Sequence, residues 1–320
     1  MKGGRVSSED TRSKKMKKYL PEGKIFNSDE NKSYISSEDG MREAMNKELI
    51  LEARASMCDN AHDLYVELPQ GVGVIPRNEG AIGIAEGTTK DIALLSRVNK
   101  TVCFKVKDIS ERDGKPFYTL SRKDAQTECM MQYTDKLVNG DVIPAKVTHL
   151  EQFGAFVDIG CGIVSLIPID TISVSRISHP SDRFFNGQDI YAVIKGRENG
   201  RITLTHKELL GSWLENASMF SPGETVSGVV RSVEPYGIFV ELAPNLAGLA
   251  EPREGVYPGQ AASVYIKAVI PDKMKVKLIL VDVFDSSGFP GKINYFITSG
   301  RLEHWVYSTD SCEKNIESVF

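Results

Sequence analysis

The feature that most constrains this chain is an internal repeat. The middle copy reads GDVIPAKVTHLEQFGAFVDIG, then GIVSLIPID, then GQDIYAVIKGRENGRITLTHKE. A later copy reads GETVSGVVRSVEPYGIFVELAPNLAGLAEPRE, then GQAASVYIKAVIPDKMKVKLILVD. A looser first copy runs LILEARASMCDNAHDLYVELPQGVGVIPRNE, then an insertion, then NKTVCFKVKDISERDGKPFYTLSRKD. Laid over one another, Tyr65, Phe156 and Phe239 coincide, as do Pro76 and Pro168. Each copy offers about five short runs that alternate apolar and polar residues, the pattern of half-buried antiparallel strands. Five short strands in 60–80 residues leave exposed edges unless the sheet closes, so a small Greek-key barrel is the economical solution for each copy.

The expected class is therefore mainly β: three consecutive five-stranded antiparallel barrels joined by short helices. The boundaries read as a basic flexible arm with a short helix (1–47), a divergent barrel (48–125), a helical linker (126–137), a second barrel (138–210), a linker (211–220), a short third barrel (221–282) and a C-terminal extension (283–320). Residues 1–24 hold eight Lys/Arg against three Asp/Glu and almost no branched aliphatics, which predicts a solvated arm able to cling to phosphates. Ser36 or Ser37 can cap a helix carrying Met41, Ala44 and Met45. HKELLGSWLENASMF reads as one helix with Leu209, Leu210, Trp213 and Leu214, and the aromatic tail as a hairpin plus a last short helix packed on the third barrel.

A net charge of −4 argues against a protein that coats duplex DNA but leaves room for a local nucleic-acid groove. Five scattered cysteines without a CxxC pair support neither a disulfide framework nor a zinc site. No uncharged run approaches the ~20 residues a bilayer needs, so a cytoplasmic protein with no membrane partner is expected. Cys58 and His62 are four apart, but on a strand that spacing does not juxtapose them. No phosphate loop, triad or paired-carboxylate motif stands out, and neither an enzyme nor a cofactor or metal is expected.

The residues with chemical interest recur with the repeat. In QFGAFVDIG and YGIFVEL a glycine separates two aromatics, Phe153 from Phe156 and Tyr236 from Phe239. A bend at that glycine lets both rings share the outer surface, where they suit stacking on unpaired bases. The same rings also fit a plain barrel core. Cations follow at the last hairpin: Arg197 and Arg201 around Asn199-Gly200 in copy two, Lys273 and Lys275 with Lys277 in copy three, Arg112 and Lys115 in copy one. Singly each reads as a solubilising surface charge, but together they make an electrostatic groove for one phosphodiester strand.

The run with FGAFV and GRITL resembles the S1 RNA-binding domain, most closely in copy two, then copy three, and in outline in copy one. The three-copy arrangement resembles the S1-like proteins of Firmicutes. The resemblance implies OB barrels that bind single-stranded RNA, with a role in translation near the small ribosomal subunit as a second expected partner. It also implies an RNA surface of two aromatics, a His, an Asp and an Arg. By that map the RNA-binding candidates are Phe153, Phe156, Arg197 and Arg201 in copy two. Copy three offers Tyr236, Phe239, Asp272, Lys273 and Lys275, and copy one offers His62, Tyr65 and Arg77. Pro168, Glu251 and Pro76 stand where the family has its His, and Arg197 where it has its Asp. The alternative reading is a protein-docking module built from degenerate barrels.

Overall fold

The computed structural model describes residues 18–198, 200–285 and 293–320. The arm at residues 1–17, Asn199 of the expected hairpin turn and Phe289 of the tail lie outside them. The chain divides into two compact units, one ending at Leu137 that also includes Asp158–Val164, the other comprising Val138–Val157 and Ser165–Phe320.

In the first unit, helices α1 (Asp29–Ile35) and α2 (Glu38–Asn46) precede the strands β1 (Leu51–Cys58), β2 (Leu64–Leu68) and β3 (Gly71–Ile75). A short α3 (Ile92–Leu95) sits in the insertion, followed by β4 (Thr101–Arg112), β5 (Lys115–Ser121) and α4 (Arg122–Gln132). The strands close as β1-β2-β3-β5-β4, sealed by a parallel contact of Val72 with Phe117. Ser37 is the cap of α2 and accepts from the Gly40 N–H. Met41 and Ala44 are buried on the barrel core with Leu64, Ile75, Phe104 and Tyr118. Leu94 of the insertion is fully buried in the same core. That helix thus packs on the barrel core through Leu94.

Tyr19 and Glu22, assigned by composition to the solvated arm, are instead buried. Arg122 grips Glu22 through two bonds, Nε to Oε1 at 2.7 Å and a terminal nitrogen to Oε2 at 3.1 Å. Asp158 accepts from the Glu22 backbone N–H (2.7 Å), and Glu52 from those of Gly23 (2.9 Å) and Ile25 (3.2 Å). Averaging over residues 1–24 hid an ordered segment whose partners are far away in sequence. The helix that follows β5 begins at Arg122, because Ser121 caps it by accepting from the Asp124 N–H.

The second unit holds two barrels. The first is built from β6 (Val142–Glu151), β7 (Gly154–Asp158), β8 (Val164–Pro168), β9 (Asp189–Glu198) and β10 (Arg201–Thr205), in the order β10-β8-β7-β6-β9. The next contains β11 (Thr225–Glu234), β12 (Gly237–Ala243), β13 (Leu246–Ala250), β14 (Ala261–Ile270) and β15 (Lys275–Phe284), in the order β11-β12-β13-β15-β14. Both close through the same parallel contact, Leu166 with Thr203 and Leu249 with Lys277. The chain is mainly β, with three closed five-stranded barrels.

The single helix expected over 206–220 is two pieces. A 3-10 turn at Lys207–Leu210 ends at Gly211, whose φ of 82° no helix accepts. Ser212 and Glu215 then form a capping box that starts α5 (Trp213–Ala217). The tail forms a hairpin, β16 (His304–Val306) with β17 (Glu317–Val319), and its last residues are strand rather than helix. Trp305 and Tyr307 enter the third barrel's core, while Tyr295, Leu302 and Phe320 pack on Val142, Val193 and Leu209 of the second. The tail therefore serves both barrels, not the third alone.

Candidate nucleic-acid interface

In the second barrel Ala155 and Val157 are fully buried, so the intervening Phe156 faces outward by strand alternation. Phe153, in the β6–β7 turn, is 56% exposed. Its ring stands perpendicular to that of Phe156, with centroids 5.9 Å apart at 89°, a geometry the aromatic quadrupole favours. Gly154 makes this possible: a Cβ there would lie 2.4 Å from the Ile167 carbonyl oxygen. The Ile169 N–H donates to the Phe153 carbonyl at 3.0 Å and fixes the turn. His149 stacks on the other side of Phe156, centroids 6.5 Å apart, while its Nε2 meets Glu151 Oε1 at 2.7 Å. His149 is not among the residues that the repeat pattern singles out.

Arg197 and Arg201 are exposed on β9 and β10. Ile202 pairs with Arg197, and Arg201 lies two residues from Thr203, the residue paired with Leu166 of β8. Arg201 thus lies on β10, one strand beyond β8 from the aromatic strand β7.

The third barrel repeats the device. Tyr236 is 66% exposed, and its ring is perpendicular to that of Phe239 at 6.1 Å and 87°. Ile238 and Val240 on either side of Phe239 are fully buried. Gly237 again permits close passage, since a Cβ there would be 2.6 Å from the Ala250 carbonyl oxygen. A cleft of about 570 Å³ opens beside the pair, and its charged lining is Lys267, Lys275, Lys277 and Glu251. Lys267 was missed because it lies on β14, outside the hairpin turn where cations were sought, although strand alternation marks it as outward.

The structure does not bring every candidate to this cleft. Asp272 lies in a 3-10 turn, where its Oδ1 accepts from Ser311 Oγ at 2.8 Å and so holds the tail. Lys273 is exposed in the same turn, outside the lining of the cleft. In the first barrel Tyr65 donates its hydroxyl to Asp59 Oδ2 at 3.4 Å, and His62 sits at a φ of 64° with Nδ1 4.0 Å from Asp91 Oδ2. Arg77 Nε donates to Asp91 Oδ1 at 2.8 Å, a bond that holds the Asp91 carboxyl below its usual range. Among the described residues, His62 and Tyr65 form no ring pair of the kind seen in the other barrels. Arg112 is also used internally, lying over the Phe117 ring at 3.5 Å. The first barrel thus carries the positions but uses Arg77 and Arg112 internally.

Cys103, Cys129 and Cys161, far apart in sequence, converge in the first unit. All three are buried, and Cys103 Sγ donates to the Cys161 carbonyl at 3.3 Å. Burial pushes the Cys103 thiol up, the direction of an inert thiol rather than a reactive one. No group of side chains among the described residues is arranged to hold a metal ion. No helix among them is long and apolar enough to cross a membrane.

Residues 136–207, essentially the second barrel, match the S1 RNA binding domain family. Small ribosomal subunit protein bS1 of Staphylococcus aureus is 32% identical over 197 residues, covering 56% of this chain and 50% of that protein. The bS1 homolog of Bacillus subtilis is 33% identical over 153 residues, covering 43% of this chain and 40% of that protein. The matched region is thus half or less of the length of these relatives. Among solved structures, a multidomain protein with nucleic acid binding domains from Streptococcus pneumoniae aligns over 73% of each chain at 15% identity, with a TM-score of 0.25. The second barrel thus matches the S1 RNA binding domain family, and the chain resembles bS1.

Proposed function

We propose that this S1-domain chain binds single-stranded RNA without catalysis, using the second and third barrels, in translation-related handling of mRNA at the small ribosomal subunit. The observation that carries the reading is the duplicated aromatic pair: two outward rings, perpendicular at about 6 Å, beside a glycine where a Cβ would crowd the neighbouring strand's carbonyl. Exposed rings suit unpaired bases, and duplex RNA hides its base faces from them. Each stacked base would contribute roughly 1–3 kcal/mol.

In the third barrel Lys267, Lys275 and Lys277 stand beside the rings and would neutralise phosphates. In the second, Arg197 and Arg201 would do so. The ribosomal context rests on the likeness to bS1 and on nothing in the site itself. The test is binding of a labelled unstructured RNA by the full chain, by Phe153→Ala/Phe156→Ala and by Tyr236→Ala/Phe239→Ala. Each double variant should weaken binding while remaining folded, and unchanged affinity in both would refute the stacking mechanism.

The first barrel supports the second reading, a docking or structural module. Asp91 of the insertion engages both Arg77 and His62, the groups that a phosphate strand would need.

A further inference from the structure

The Tyr236–Phe239 pair does not border one cleft only. On its other side lies a second cleft of about 480 Å³, which shares both rings with the lysine-lined one. Its far wall comes from the β8–β9 connection of the second barrel, around Ser175–Ser178. That connection is anchored to the third barrel at several points. The Val174 N–H donates to Asn245 Oδ1 at 2.9 Å, Ile177 is buried, and Arg183 is paired with the buried Glu241.

Arg176 stands exposed in the middle of this anchored stretch. The charged groups lining the cleft are Arg176, Arg231, Asp182 and Glu234. Arg231 is already neutralised: it contacts Glu241 at 2.9 Å and Asp182 at 3.2 Å. Arg176 has no ion-pair partner among the described residues. It is therefore the cation of this cleft that is left for an anion from outside. Its guanidinium is held on a fixed loop, so little ordering is lost when it binds a phosphate.

Building on the RNA reading above, we propose that Arg176 of the second barrel is a phosphate contact of the third barrel's site. A single RNA strand stacked on Tyr236 and Phe239 runs from the lysine cleft into the Arg176 cleft, so the site is composite and one barrel alone leaves it incomplete. Glu234 disfavours a phosphate next to itself, which leaves the Arg176 side of the cleft for the backbone and the Glu234 side for base amino groups.

The test titrates a fluorescein-labelled 20-nucleotide oligouridine with the full chain at several salt concentrations. The proteins are wild type, Arg176→Ala, Arg176→Lys, the control Arg42→Ala, and each Arg176 change in the Tyr236→Ala/Phe239→Ala background. Arg176→Ala should weaken low-salt binding about 5–10-fold and flatten the salt slope by about 0.7, the loss of one phosphate contact. Arg176→Lys should recover part of it, and the effect should shrink in the ring-deleted background. Thermal midpoints equal to wild type exclude unfolding as the cause. If Arg176→Ala binds like Arg42→Ala while ring deletion weakens binding, the composite site is wrong and the RNA reading stands. An Arg176 effect of equal size with and without the rings also overturns it, as a general charge effect. No binding by wild type sinks both.

Discussion

At the scale of single residues, the account rests on two outward rings and the glycine before each second ring. Phe156→Ala or Phe239→Ala should each lower RNA affinity by roughly 1–3 kcal/mol, about 5–150-fold, because one stacking face is lost. Circular dichroism should stay unchanged, since neither ring belongs to a buried core. Gly154→Ala tests the other half. The added methyl would meet the Ile167 carbonyl at 2.4 Å, so strands β7 and β8 must separate, costing roughly 1–3 kcal/mol in urea unfolding. Wild-type stability in that variant would mean the glycine is not what sets the rings. The positions were legible in the sequence because the motif recurs, but a plain core fitted the same pattern, and it is the burial of Ala155, Val157, Ile238 and Val240 that turns the rings outward. Lys267 and His149 were not legible in the same way: their interest arises only when barrel closure brings Lys267 of β14 to the cleft beside Tyr236 and Phe239, and when β6 lies along the aromatic strand β7. The bond of Asp272 to Ser311 was not legible, because Ser311 belongs to a tail whose docking no local pattern announces.

At the scale of elements, long-range charge holds segments that composition alone leaves loose. Burial raises the Glu52 carboxyl to about 7, and burial with the neighbouring Glu22 carboxylate raises Asp158 as well. Glu22 is also pushed up by burial, but Arg122 and Arg97 more than offset this and hold it below its usual range. A carboxyl whose folded pKa is raised binds more protons folded than unfolded. Its stabilisation is full below its ordinary pKa near 4.5 and is lost as pH rises through about 7. Between about pH 5 and 8 the first unit should therefore lose stability with rising pH, and the 18–25 segment should exchange amide hydrogens faster. Glu52→Gln should flatten that dependence, and an unchanged profile would show that Glu52 does not titrate there. In the second unit Glu241 sits between Arg183 and Arg231. Glu241→Ala leaves Arg183 buried without its partner and should cost about 3–5 kcal/mol in unfolding. The barrels themselves were readable from strand-length alternation and closing turns. The break at Gly211 was not, because a helical pattern of leucines runs across a residue whose left-handed backbone ends it.

At the scale of the whole molecule, the proposed function places two weak sites on one chain, which would act through avidity. An RNA too short to reach both should bind weakly and lose affinity on deletion of only one ring pair, while a longer RNA should gain up to about 10²-fold. Fluorescence anisotropy with 6- and 20-nucleotide strands checks this, and equal affinities would argue for one working barrel. The most direct test of the central claim is a salt titration of the full chain against a 20-nucleotide unstructured RNA and a duplex of the same length. The account predicts clear preference for the single strand, with a log-affinity slope of about −0.7 per phosphate over a few contacts. Equal binding to the duplex, or no binding at low salt and tens of micromolar protein, would contradict it.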